Sequence, residues 1–192
     1  DIGTYFSIIK SIASGNHKIG KISAPLSIKQ HIAEEHLVRL MELDLVEKIV
    51  PVTEKNPEKS KKSLYLIKDN FIKFWFKFVY PYRNYLEIDN YSIVIDKLKQ
   101  NFIYNHVSFI YEDICREKII EMSLTEPLKC TVSKCGRWWD NSDEIDIVAI
   151  SEEDKKIIFC ECKYTKQKVD IDVFYNLKEK SKKVNFNSNI NL

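Results

Sequence analysis

Two short apolar runs, Glu144-Ile-Asp-Ile-Val-Ala-Ile150 and Ile157-Ile-Phe-Cys-Glu-Cys-Lys-Tyr164, constrain this chain more than any other feature. Both are β-branched and of strand length, and the polar Ser151-Glu-Glu-Asp-Lys-Lys156 between them reads as a hairpin connection. A plain buried hairpin does not explain Asp146 in the first run, or Glu161 and Lys163 near the end of the second. Side chains alternate along a strand, so Glu161 and Lys163 share one face, while Cys160, Cys162 and Tyr164 share the other. By the same rule Glu144 and Asp146 lie opposite Ile145, Ile147 and Ala149. Coincident charged faces would gather two or three carboxylates and an ammonium on one surface.

Carboxylates held that close repel one another, and their pKa values are pushed apart unless a cation intervenes. Hard oxygen ligands and an incomplete protein shell suit Mg²⁺ or Mn²⁺, the predicted cofactor. Lys163 beside them then positions or helps to deprotonate a water, or stabilises charge developing on a phosphoryl oxygen. These residue types point to phosphodiester hydrolysis.

Asp146 followed by Glu161-Cys-Lys163 resembles the D…(D/E)xK pattern of the PD-(D/E)XK, restriction-endonuclease-like superfamily. With Gly136-Arg-Trp-Trp139 and the upstream Asp69-Asn-Phe-Ile-Lys-Phe-Trp-Phe-Lys-Phe78, nearly the whole chain resembles the C-terminal half of a family of archaeal and bacterial AAA+-type ATPases. In that family a P-loop ATPase precedes a winged helix and a nuclease-like domain. The resemblance implies a winged helix-turn-helix at residues 1–83, a linker and connecting helix at 84–107, and a nuclease-like αβ domain with a central mixed sheet at 108–192, truncated at its C-terminus. It implies catalytic roles for Asp146, Glu161 and Lys163, with Glu112 offered from the first helix of that domain. Asp146, Glu161 and the carbonyl of Cys162 are the implied metal ligands, and DNA and an ATPase domain of the same longer chain the implied partners. No G-x-x-x-x-G-K-[ST] occurs here, so the ATPase is expected outside this chain. The functional expectation is a metal-dependent DNA endonuclease-like effector region. A second reading keeps the fold as a catalytically inactive DNA- or protein-binding coupling module.

A net charge of +2 leaves any nucleic-acid affinity to local patches. One such patch runs from Lys163 to Lys183, where seven lysines face Asp170, Asp172 and Glu179 for a net +4. Arg137, Lys166 and Lys168 are the predicted phosphate contacts. The five cysteines include no C-x-x-C pair and are expected to be reduced, structural thiols in a cytoplasmic protein. No signal peptide or membrane-spanning apolar run is recognisable. The start at Asp1 and the Asn-rich end are expected of a fragment of a longer protein.

In chain order, Tyr5, Phe6, Ile8, Ile9, Ile12 and Ala13 predict a helix ended by Gly15, and a short helix or turn follows at 20–26. A third helix at 29–45 turns Ile32, Leu37, Leu40, Met41 and Leu45 inward. Strands at 46–52 and 63–67 then enclose a wing tip of net +2. The third helix also exposes Glu34, Glu35, Glu42 and Asp44, so a protein-packing winged helix competes evenly with a DNA-binding one. The aromatic helix at 69–80, stopped by Pro81, is expected to pack on the nuclease-like domain through Phe74, Trp75, Phe76 and Phe78. A linker at 84–90, helices at 91–102, 109–120 and 169–180, and a first strand at 128–132 complete the reading. His17, His31, His36 and His106 are read as surface or interface residues.

Overall fold

The isoleucines of α1 (Ile2–Ala13) recur at helical spacing, so Ile8, Ile9 and Ile12 line one face and are buried. In the computed structural model, which describes residues 2–126 and 128–185, this helix opens the first of two units. That unit takes residues up to 49 and then 61–106; the second takes 50–60 and the residues from 107 onward. Gly15 ends α1 with φ +94°, a conformation open to glycine at little cost. Next come α2 (Ile19–Ser23), α3 (Gln30–Glu42) and an antiparallel pair, β1 (Val46–Ile49) with β2 (Leu64–Ile67). Ile22, Leu37, Leu40, Val46, Tyr65 and Ile67 from these elements close over the α1 isoleucines. Ile32, expected to face inward, is exposed, because the buried stripe of α3 runs through Ala33, Leu37 and Leu40.

Asp69 caps α4 (Asn70–Phe74) by accepting the Ile72 N–H at 2.7 Å. The helix continues as a π turn over Trp75–Val79 and a 3-10 turn over Tyr80–Tyr82 into α5 (Arg83–Glu87). Pro81 therefore does not stop it: it lies in the first turn of the 3-10 segment, where its missing N–H leaves no bond unmade. The residues expected to be a linker are largely helical, and α6 (Tyr91–Phe102) follows with the bounds the spacing predicts. Phe74, Trp75, Phe76 and Phe78 find ring partners in Phe6, Tyr80, Phe102 and His106, all in the first unit. Phe76 and Phe78 are buried in this unit, and Phe74 and Trp75 partly so.

His106 is buried, not superficial, with its ring stacked 5.3 Å from that of Phe102. Burial first, and then the charges of Lys73 and Lys77, hold its pKa below the usual histidine value. With a depressed histidine pKa, stability is full above the unfolded value of about 6.5 and is lost as pH falls from there through the lower folded value. Between pH 7 and pH 5 the melting temperature of the wild type should therefore fall several degrees further than that of His106→Phe, as read by circular dichroism. Parallel losses in the two proteins would exclude this role.

The second unit contains α7 (Ser108–Ser123), β3 (Lys134–Trp139), β4 (Glu144–Ser151), β5 (Lys156–Cys160) and α8 (Ile171–Ser181). Its strands lie in the order β3-β4-β5, and every strand pairing among the described residues is antiparallel, so the expected mixed sheet is corrected. Tight turns at 140–143 and 152–155 send the chain straight back, which leaves no crossover for a parallel pair. The strand expected at 128–132 is also absent: the Thr131 N–H goes to the Asp154 carboxylate at 2.6 Å and the Cys130 N–H to the Ser123 carbonyl at 2.8 Å. On one face of the sheet Leu177 and Val184 pack with Trp138, Ile145, Val148 and Ile150. On the other, α7 sends Glu112 to Arg137. No helix of the described residues is long and apolar enough to cross a membrane.

Candidate active site

Strict alternation along β4 would put Ile145 and Val148 on opposite faces, yet both belong to one buried cluster. The register explains it. Gly136 pairs with Val148 and Trp138 with Ile145, so the single Arg137 of β3 faces both Asp146 and Ile147 of β4. This is a β-bulge, a feature that re-aims a side chain and recurs beside active sites. It corrects the simple face assignment for the first strand and leaves Asp146 buried, at 9% exposure.

The β4–β5 ladder ends at Cys160, so Glu161, Cys162 and Lys163 continue beyond the strand. The Cys162 N–H donates to the Asp146 carboxylate at 2.7 Å, which ties the end of one run to the bulge of the other. Alternation persists past the strand end. Tyr164 meets the Tyr111 ring of α7 at 5.3 Å, while Glu161 turns to Lys163 at 2.7 Å and to Lys180 of α8 at 3.5 Å.

The charges are mutually sensed. Burial chiefly raises the Asp146 pKa; the Cys162 N–H opposes this and the Glu161 charge adds to it. Burial also raises that of Glu112, against the pull of Arg137 and with a push from Asp146. Lys163 is held more firmly in its ammonium form, first by its hydrogen bond to Glu161. Asp146 thus stands between Glu112 of α7 on one side and Glu161 and Lys163, from the segment after β5, on the other.

Arg137 pairs with Glu112 at 2.5 Å, with side chains 23% and 13% exposed. Arg137→Ala should cost about 1 to 3 kcal/mol at pH 7, because it strands a largely buried carboxylate. A protonated Glu112 needs no guanidinium, so the cost should shrink as pH falls through its raised pKa. Urea unfolding at pH 7 and pH 4 checks this, and an equal cost at both would contradict it.

Lys166 and Lys168 are exposed in the segment leading to α8. A cavity of about 330 Å³ opens where that helix meets the end of β5, lined among others by Glu161, Lys163, Leu177 and Lys180. Lys180, and Lys183 with its partner Asp143, were not singled out from sequence; the inward spacing of Val173, Asn176, Leu177 and Lys180 was the available signal. Asp146 and Glu161 offer two hard carboxylates, and their repulsion is what a divalent cation relieves. Among the described residues no three His, Cys, Asp or Glu side chains gather to hold a metal ion. Two carboxylates are a sparse donor set, one that would leave most positions around a divalent ion to water.

A family model described as archaeal and bacterial proteins of unknown function matches residues 75–184. An uncharacterized protein of Methanocaldococcus jannaschii is 36% identical over 184 residues, covering 94% of this chain and 40% of that protein. The chain therefore spans about two fifths of the length of the curated relative it matches. No solved structure matches it.

Proposed function

We propose a divalent-metal-dependent phosphodiesterase function for this chain, which belongs to the DUF234 family of archaeal and bacterial proteins of unknown function. In this reading it is the DNA endonuclease-like effector region of a longer, cytoplasmic ATPase, with a winged helix at 1–83 and a restriction-endonuclease-like domain at 108–192. The order of α1, α2 and α3 before the β1–β2 hairpin supports the first assignment. The observation that carries the second is the bond from the Cys162 N–H to Asp146, because it brings both acids and the lysine of the D…ExK pattern to one end of the hairpin.

Asp146, Glu161 and the carbonyl of Cys162 would hold Mg²⁺ or Mn²⁺. Such an ion supplies Lewis acidity and an activated water when bound. Lys163, beside Glu161, would stabilise negative charge on a phosphoryl oxygen. Glu112 fixes Arg137 opposite the bulge and so supports the position of Asp146.

One observation favours the second reading, a binding or coupling module. Glu161 is already neutralised by two lysines, as a purely structural acid would be. Cleavage assays on single-stranded, duplex and branched DNA with Mg²⁺ or Mn²⁺ separate the two, run on this chain and on the full-length protein with ATP. Metal-dependent cleavage that disappears in Asp146→Ala supports the hydrolase. Inactivity on every substrate overturns it in favour of the module.

A further inference from the structure

The cavity between α8 and the end of β5 contains one lysine that is only loosely matched by an acid. Three of its lining side chains are lysines, Lys163, Lys180 and Lys183, and three are acids, Asp143, Glu161 and Glu179. Glu179 is occupied from outside by Lys182, at 2.6 Å, and Lys183 pairs with Asp143. Lys163 and Lys180 are left to share Glu161, at 2.7 and 3.5 Å. Lys163 also feels the charge of Asp146, whereas among the described residues the acid in ion-pair contact with Lys180 is Glu161 alone, at the longer distance, and the Lys180 side chain is only 24% exposed. A long amine held that far from water next to a single shared acid is set to take a second anionic partner.

A phosphodiester group bears one negative charge, and Val173 and Leu177 give the cavity an apolar floor that suits a sugar ring. We propose that this cavity holds one phosphodiester group of a nucleic-acid strand, with Lys180 donating to a non-bridging oxygen. The assignment deepens the nuclease-like reading and rests on it for the identity of the strand, but it can be tested without cleavage. It gives the strand a path over α8, and it makes Lys180 a binding residue distinct from the exposed Lys166 and Lys168.

The test is fluorescence anisotropy of a labelled single-stranded oligonucleotide with the 192-residue chain in EDTA, at several salt concentrations. Each lost phosphate contact lowers the salt slope on a single strand by about 0.7, which corresponds to about fourfold in affinity at 0.15 M salt. Lys180→Gln should show that loss, Lys180→Arg should restore it, and the melting temperature of both should stay near that of the wild type. Lys97→Gln, at an exposed position on α6, should change affinity less. Equal losses in Lys97→Gln and Lys180→Gln, or an unchanged slope in Lys180→Gln, would overturn the proposal. Displacement of the oligonucleotide by millimolar thymidine monophosphate would assign the cavity to a free nucleotide and likewise overturn it; persistence of the complex supports the polynucleotide. Because no cleavage is read, failure here leaves the hydrolase reading to its own assay.

Discussion

Replacing Lys163 with alanine is expected to lower metal-dependent cleavage by about 10²- to 10³-fold while leaving divalent-ion affinity within about twofold of the wild type. An ammonium has no lone pair to give a metal, so its removal takes charge stabilisation away and leaves the ligands in place. Its Nζ lies 2.7 Å from Glu161, and its side chain remains 43% exposed and open to a substrate oxygen. Asp146→Ala should instead lose ion affinity and cleavage together, since the carboxylate held by the Cys162 N–H is itself a proposed ligand. Single-turnover cleavage and calorimetric Mn²⁺ titration of both variants make the distinction. Undiminished cleavage by Lys163→Ala would show the chemistry to lie elsewhere, and a parallel loss of ion affinity would reduce Lys163 to a structural role.

The second large effect is on stability. Ile150 has no exposed surface and packs in the cluster formed by Trp138, Ile145, Val148 and Val184. Ile150→Ala should cost about 2 to 5 kcal/mol, the lost transfer energy plus the cavity it leaves. In a unit of this size that corresponds to a fall in melting temperature on the order of 10 °C. Ile171, at the start of α8, is 59% exposed, and its replacement by alanine should change stability by less than about 0.5 kcal/mol. Urea midpoints of the two variants measure the contrast, and similar losses would mean that α8 is buried in a way these contacts do not describe.

Local pattern told most of what was local. The β-branched runs predicted the β4–β5 hairpin, and alternation correctly turned Cys160, Cys162 and Tyr164 away from Glu161 and Lys163. Apolar spacing likewise predicted the bounds of α6. What escaped depends on partners distant in sequence. The bulge at Asp146 and Ile147 exists only in register with β3, so no reading of β4 by itself could break its alternation. The pairing of Arg137 was not legible because Glu112, its partner, lies 25 residues earlier, and the second lysine on Glu161 lies 19 residues later. His106 looked superficial until α4 and α6 enclosed it with Phe74 and Phe102. Pro81 was read as a helix stop from its chemistry, but its effect depends on where in a turn it falls.

The central claim, that Asp146 and Glu161 form one divalent-cation site at the end of the β4–β5 hairpin, is tested most directly by anomalous diffraction from a crystal of this chain soaked in Mn²⁺. The account predicts a single strong peak bonded to one carboxylate oxygen from each residue, at about 2.1 to 2.3 Å. A map without a peak between them, with Glu161 still held by Lys163 and Lys180, would contradict it.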